Sequence, residues 1–148
     1  MDNLFEPTTA AEIISRIQKL QPDTPAKWGK MNVAQMMAHC QAPFVVFFSE
    51  KKVKRGLASL LFGKVAKRKL FSNKPWPKSL PTDKSFVIAD ERDFEGERNK
   101  LVDMINRFST DGLTITSNTH PFFGHLSSQE WALFGYRHLD HHLQQFGV

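Results

Sequence analysis

The segment SSQEWALFGYRHLDHHLQQFG, residues 127–147, constrains the fold of this chain more than any other stretch. Ser127 and Glu130 have the spacing of a capping box, in which each side chain satisfies an orphan backbone N–H at a helix start. Behind them Trp131, Phe134, Gly135, His138, His142 and Gln145 recur at steps of three and four residues, the spacing of one helix face. The stripe that must be buried therefore carries two imidazoles. Such a helix requires neighbours that cover its apolar residues and also satisfy its histidines.

Other segments supply those neighbours. Thr9 and Glu12 read as a capping box opening a helix with Ile13, Ile14, Ile17 and Leu20 on its apolar face. Two prolines in QPDTPAKWG end it, and Trp28 is expected to pack that loop onto the bundle end. Asn32 and Gln35 suit the start of a second helix, VAQMMAHCQAPFVVFF, where Pro43 predicts a kink or break near residues 39–43. KKVKRGLASLLFGKVAKRKLF reads as a short helix on a crossover, and SNKPWPKSLPT as an extended loop. Asp90 or Asp93 caps a further long helix with Phe94, Leu101, Ile105 and Phe108 on one face. TDGLTITSNTHPFFGHL is turn-rich. No run alternates as a strand would. These patterns predict an all-α fold, a four-helix bundle with long crossover connections, in a single domain spanning residues 1–148.

Composition narrows the function classes. There is no apolar run near the roughly 20 residues that cross a bilayer, and MDNLFEPTTA lacks the features of a secretory signal. Cys40 has no partner for an internal disulfide, so a cytoplasmic protein is expected. Thirteen Phe and three Trp predict an aromatic-rich core. Of the net +5 charge, residues 51–84 carry +10, with eleven Lys/Arg against Asp83 alone. The remainder is mildly acidic.

The histidines carry the chemistry. His138 and His142, one helical turn apart, can converge on a cation such as zinc, whose catalytic sites typically use three protein ligands and leave a position open. His141, three residues from His138, could chelate instead, and helix direction does not choose between them. His39, mid-helix in an apolar run, is the candidate third ligand. Three buried imidazoles are costly without a cation or a hydrogen-bond network. Cys40, about 100° around the helix from His39, reads as a buried thiol. His120 reads either as a proton shuttle or substrate contact or as a residue fixing its loop beside Pro121, with His125 a weaker candidate. Gln35, one turn before His39, could orient a ligand or water. Asp140 lies on the far side of its helix from His138 and is expected to be solvated or paired.

Taken together, WGKMNVAQMMAHC and HPFFGHLSSQEWALFGYRHLDHHLQQFGV resemble the DinB-like superfamily, nearest to a branch known only as a domain of unknown function. The resemblance spans essentially the whole chain. It implies a four-helix bundle holding a divalent metal, zinc or nickel, through His39, His138 and His142. His141 would then line the pocket or hydrogen-bond near it. The implied activities are metal-dependent hydrolysis or thiol-dependent transfer, the latter with a low-molecular-weight thiol cosubstrate and a small-molecule substrate. A homodimer is also implied.

The competing reading is a non-catalytic metal-binding or interaction module using basic segment 51–69 to contact an anionic partner. In the favoured arrangement Leu57, Leu60, Leu61, Phe62 and Val65 pack on the bundle, and the lysines merely solvate the crossover. No sequence-specific nucleic-acid reader, phosphate loop or dinucleotide fingerprint is present in the sequence.

Overall fold

The computed structural model describes residues 2–49, 54–72, 74–78, 84–115 and 119–148. Among them it is all-helical, with five α-helices and no strands: α1 (Pro7–Gln18), α2 (Val33–Phe48), α3 (Leu57–Leu70), α4 (Phe94–Asp111) and α5 (Ser128–Gln145). Among the described residues one 3-10 turn, Lys84–Phe86, lies between α3 and α4. No helix among the described residues is long and apolar enough to cross a membrane. Parts of the expected crossover, extended loop and turn-rich connection (residues 51–53, 73, 79–82 and 116–118) lie outside the described residues.

Local chemistry sets most helix starts as expected. The Asn32 side chain accepts from Gln35 N–H while Gln35 reaches back to Asn32 N–H, a complete capping box. Ser127 and Glu130 do the same for α5. For α4 the cap is Asp93, whose carboxylate accepts from Gly96 N–H at 2.7 Å; Asp90 pairs with Arg92 instead. The Thr9–Glu12 box is corrected: α1 begins at Pro7, and Glu6 is its N-cap without a side-chain bond. Proline at the first helical position supplies the right φ and loses no intrahelical bond, so it moves the start ahead of the box. Helix α2 runs continuously through Pro43. Pro43 does remove the N–H that would donate to the His39 carbonyl.

Helix α2 packs on α4 and α5, and α1 packs on the same two. Ile13, Ile17, Met36, Met37, Phe44, Phe47, Leu101, Ile105, Phe108 and Trp131 are fully buried between them. The aromatic centre is Phe108, with Phe47 at 4.7 Å, Phe5 at 5.1 Å and Phe44 at 5.4 Å between ring centroids. Each such side chain contributes about 1.5–3 kcal/mol of gross transfer energy. Among the described residues the carboxylate of Glu97 is buried with them. Glu97 accepts from Gln41 Nε2 at 2.6 Å and pairs with Arg92 at 3.5 Å, which ties α4 to α2 and compensates the charge.

Helix α3 corrects a further expectation. Its apolar residues do not pack on the other helices: Leu57, Leu60, Leu61, Phe62 and Val65 are all exposed. The buried side instead carries Ser59, Gly63 and Leu70. The reason is polar anchoring. Ser59 Oγ donates to the Phe122 carbonyl at 2.7 Å, and Arg55 Nε donates to Ser59 Oγ. A Cβ at Gly63 would come within 2.5 Å of the Phe122 oxygen, so only glycine permits this approach. At the far end Arg137 of α5 donates to the carbonyls of Leu70, Ser72 and Lys74.

Candidate metal centre

Helices α2 and α5 bring three imidazoles together. His39, His138 and His142 each offer one ring nitrogen, and these atoms lie within 4.8 Å of one another. Ring centroids are 4.8–5.0 Å apart for all three pairs. His39 and His142 are buried and His138 half-buried. His39 Nε2 and His138 Nε2 are 3.1 Å apart. Two nitrogens bound tetrahedrally at the usual zinc–nitrogen distance sit about 3.3 Å apart, so this pair is already spaced for a shared cation.

Two of the rings are oriented from behind. His39 Nδ1 lies 3.0 Å from the Phe86 carbonyl. A carbonyl only accepts, so Nδ1 carries the hydrogen and Nε2 keeps its lone pair for the site. His142 Nδ1 lies 2.8 Å from Gln145 Oε1. Gln145 Nε2 donates to the Trp28 carbonyl at 2.7 Å, which sets the amide orientation. Oε1 therefore receives the His142 Nδ1–H, and His142 Nε2 is left free. Gly29, at φ +82°, makes room for this relay: a Cβ there would meet Gln145 Nε2 at 2.5 Å.

Burial makes these imidazoles neutral bases. His142 is pushed down to about 3, by burial first and then by His39, against the raising bond from Gln145. His138 is held well below the ordinary histidine range by burial and by His142, His39, His141 and His120 around it. His39 is lowered by burial, opposed by its bond to Phe86. Three imidazole nitrogens facing one point would repel one another if protonated, and as neutral bases they suit a cation. The donor set fits a divalent metal of the imidazole-binding kind.

The remaining sequence candidates fall elsewhere. His141 is outside this trio, with its ring 5.8 Å from Trp28 and 5.9 Å from Trp76. The structure thus brings His142, not His141, to His39 and His138. His120 is buried, and its Nδ1 accepts from the N–H groups of Phe122 and Phe123 at 3.1 and 3.2 Å. Its ring packs on Trp131 and Phe134, and burial pushes it down to about 4. His125 is exposed. Gln35 is engaged in the α2 cap and donates to the Asp90 carbonyl. Cys40 is a buried thiol, raised by burial, beside Met36. Asp140 pairs with Arg16 at 2.9 Å.

Sequence reasoning missed the orienting groups. Gln145 stood on the α5 stripe three residues after His142, a spacing that signals contact. The Phe86 carbonyl had no such signal. Trp76, which stands 6.3 Å from His138, is held by its indole N–H to Leu70 and by the Arg137 guanidinium over its ring.

A helical chain with a three-histidine cluster between two of its helices is the class that fold and site define. Residues 5–147 match the family described as a protein of unknown function, DUF1569, and the chain belongs to that family. No curated protein and no solved structure matches the chain.

Proposed function

We propose that this chain is a metal-dependent enzyme of DinB-like type, with α1, α2, α4 and α5 as its four-helix bundle and α3 on a crossover. His39, His138 and His142 each give a ring nitrogen to one divalent cation, zinc or nickel. The observation that carries this reading is their convergence within 4.8 Å, from positions 99 residues apart in sequence for His39 and His138. Chance clustering of three largely desolvated imidazoles without compensation would be costly. Here the Nδ1 atoms of His39 and His142 are satisfied from behind, and the lone pairs are left facing inward.

Three neutral ligands leave a bound cation its full charge, so it would polarise an oxygen or lower the pKa of a water or thiol. Hydrolysis and thiol transfer to a small-molecule substrate both fit that chemistry. The chain's own part is positional. Gln145 and the Phe86 carbonyl hold two rings in register, while Trp76 and Phe134 pack against the ring of His138. His141 is half-buried and neutral at pH 7, because burial lowers it more than Asp140 raises it. Of the three candidates we assign proton exchange to His141, because His120 and Gln35 are engaged in backbone bonds.

Elemental analysis of untagged protein tests the reading, beside the triple variant His39→Ala, His138→Ala, His142→Ala. About one divalent ion per chain is expected in the parent and none in the variant. A parent that stays metal-free after incubation with zinc or nickel would overturn the proposal and leave the cluster structural.

A further inference from the structure

We propose that α3, extended by Phe122, is a docking helix for anionic lipid surfaces. The inference is independent of the metal site. Leu57, Leu60, Leu61 and Val65, with Lys64 and Arg68 among them, recur at three- and four-residue steps and so share one helix face. Phe62 flanks it. These five apolar residues are 56–72% exposed. They make up more than half of the large exposed hydrophobics among the described residues, so apolar exposure is concentrated here rather than scattered. Phe122, whose carbonyl anchors Ser59, adds a further exposed ring beside the helix.

The orientation is built in. Ser59, Gly63 and the Arg55 fork fasten the small, polar side of α3 inward, and Arg137 clamps its end. Lys67, on the flank, bonds to the His125 carbonyl and Glu130. Rotation that would bury the leucines breaks all of these contacts. The outward leucines are therefore what the anchors display.

Charge decides the occupant. Residues 51–82 contain no Asp or Glu, and Lys64, Arg68 and Lys69 are exposed on α3. A second copy seated on this face would set one wholly basic segment against another. A lipid headgroup layer receives both features at once. Leucines enter the acyl boundary, while Lys and Arg stems lie along it with their charges at the phosphates. At 14 residues, α3 is about 21 Å long, which suits a helix lying in the interface plane and not one spanning it.

Vesicle co-sedimentation of the full chain tests this, with phosphatidylcholine vesicles against phosphatidylcholine containing phosphatidylglycerol. Binding to the anionic vesicles is expected, falling steeply with salt, with little to the neutral ones. Leu57→Ser with Leu61→Ser should abolish it. Lys64→Gln with Arg68→Gln should weaken it about 30-fold, roughly fivefold for each charge. Circular dichroism and Tm check that these exposed substitutions leave the fold intact. No preference for anionic vesicles in the parent overturns the proposal. So does a solution dimer that the leucine variant converts to monomer without any vesicle binding. Retention on nucleic acid that survives the leucine substitutions, with no vesicle binding, overturns it as well.

Discussion

Helices α5 and α3 depart from ordinary amphipathic patterning in opposite directions. Helix α5 turns polar groups inward: His142 and Gln145 are buried with Trp131, Leu139 and Leu143. Helix α3 turns apolar groups outward, keeping serine and glycine inside. Each departure is held by named hydrogen bonds, Gln145 to His142 and Trp28 in one case, Ser59 and Arg55 to the Phe122 loop in the other. Hydrophobic patterning says which residues prefer burial. Where polar anchors override it, hydrogen-bond geometry and not hydropathy decides which face is buried.

The largest effect separating the helices should come from trimming aliphatics. Leu143→Ala on α5 removes a fully buried side chain and is expected to cost about 2–5 kcal/mol in chemical denaturation. A cost under about 1 kcal/mol would mean that the α5 face relaxes into the gap.

Next comes the orienting relay. Gln145→Ala leaves His142 Nδ1 without its acceptor and should weaken zinc binding about 10–100-fold by calorimetric titration. Gln145→Glu, which keeps an acceptor oxygen, should recover part of it. Unchanged affinity in Gln145→Ala would reduce the relay to packing.

Acid should act on the inward face as well. His142, held down at about 3, and His120, at about 4, remain neutral in the fold where unfolded histidines near 6.5 take up protons. The unfolded state then binds more protons, so stability rises with pH through this window and is lost as pH falls. The Tm of metal-free protein should drop between pH 6.5 and pH 5, above the carboxylate range, and level off above pH 7.5. A flat profile there would contradict neutral buried imidazoles.

The smallest effect belongs to the outward face. Leu61→Ser should shift stability by no more than about 0.5 kcal/mol, as for an ordinary surface change. A loss near that of Leu143→Ala would show that the α3 leucines pack against something in solution.

Much of this was legible in the sequence because the signals are local. The caps at Asn32 and Ser127 bond within three residues, and the α5 stripe follows from helical period alone. The start of α1 was misread because Thr9 and Glu12 match a cap pattern that Pro7 pre-empts two residues earlier. His39, His138 and His142 could be nominated, but helix direction left His141 and His142 open. The Trp28–Gln145 contact, which orients His142, joins residues 117 positions apart. The Phe86 carbonyl comes from a proline-rich connection whose path no periodicity reveals. The facing of α3 was least legible. Its apolar content argued for burial, and only the Ser59 and Gly63 contacts with a loop some 60 residues later reverse it.

X-ray absorption at the zinc edge, on protein loaded with about one equivalent, tests the central claim most directly. Three imidazole nitrogen scatterers at about 2.0–2.1 Å are expected in the parent, falling to two in His142→Ala. A sulfur shell near 2.3 Å would place Cys40 at the metal, and an imidazole count unaffected by His142→Ala would remove His142 from it; either result would contradict the three-histidine centre.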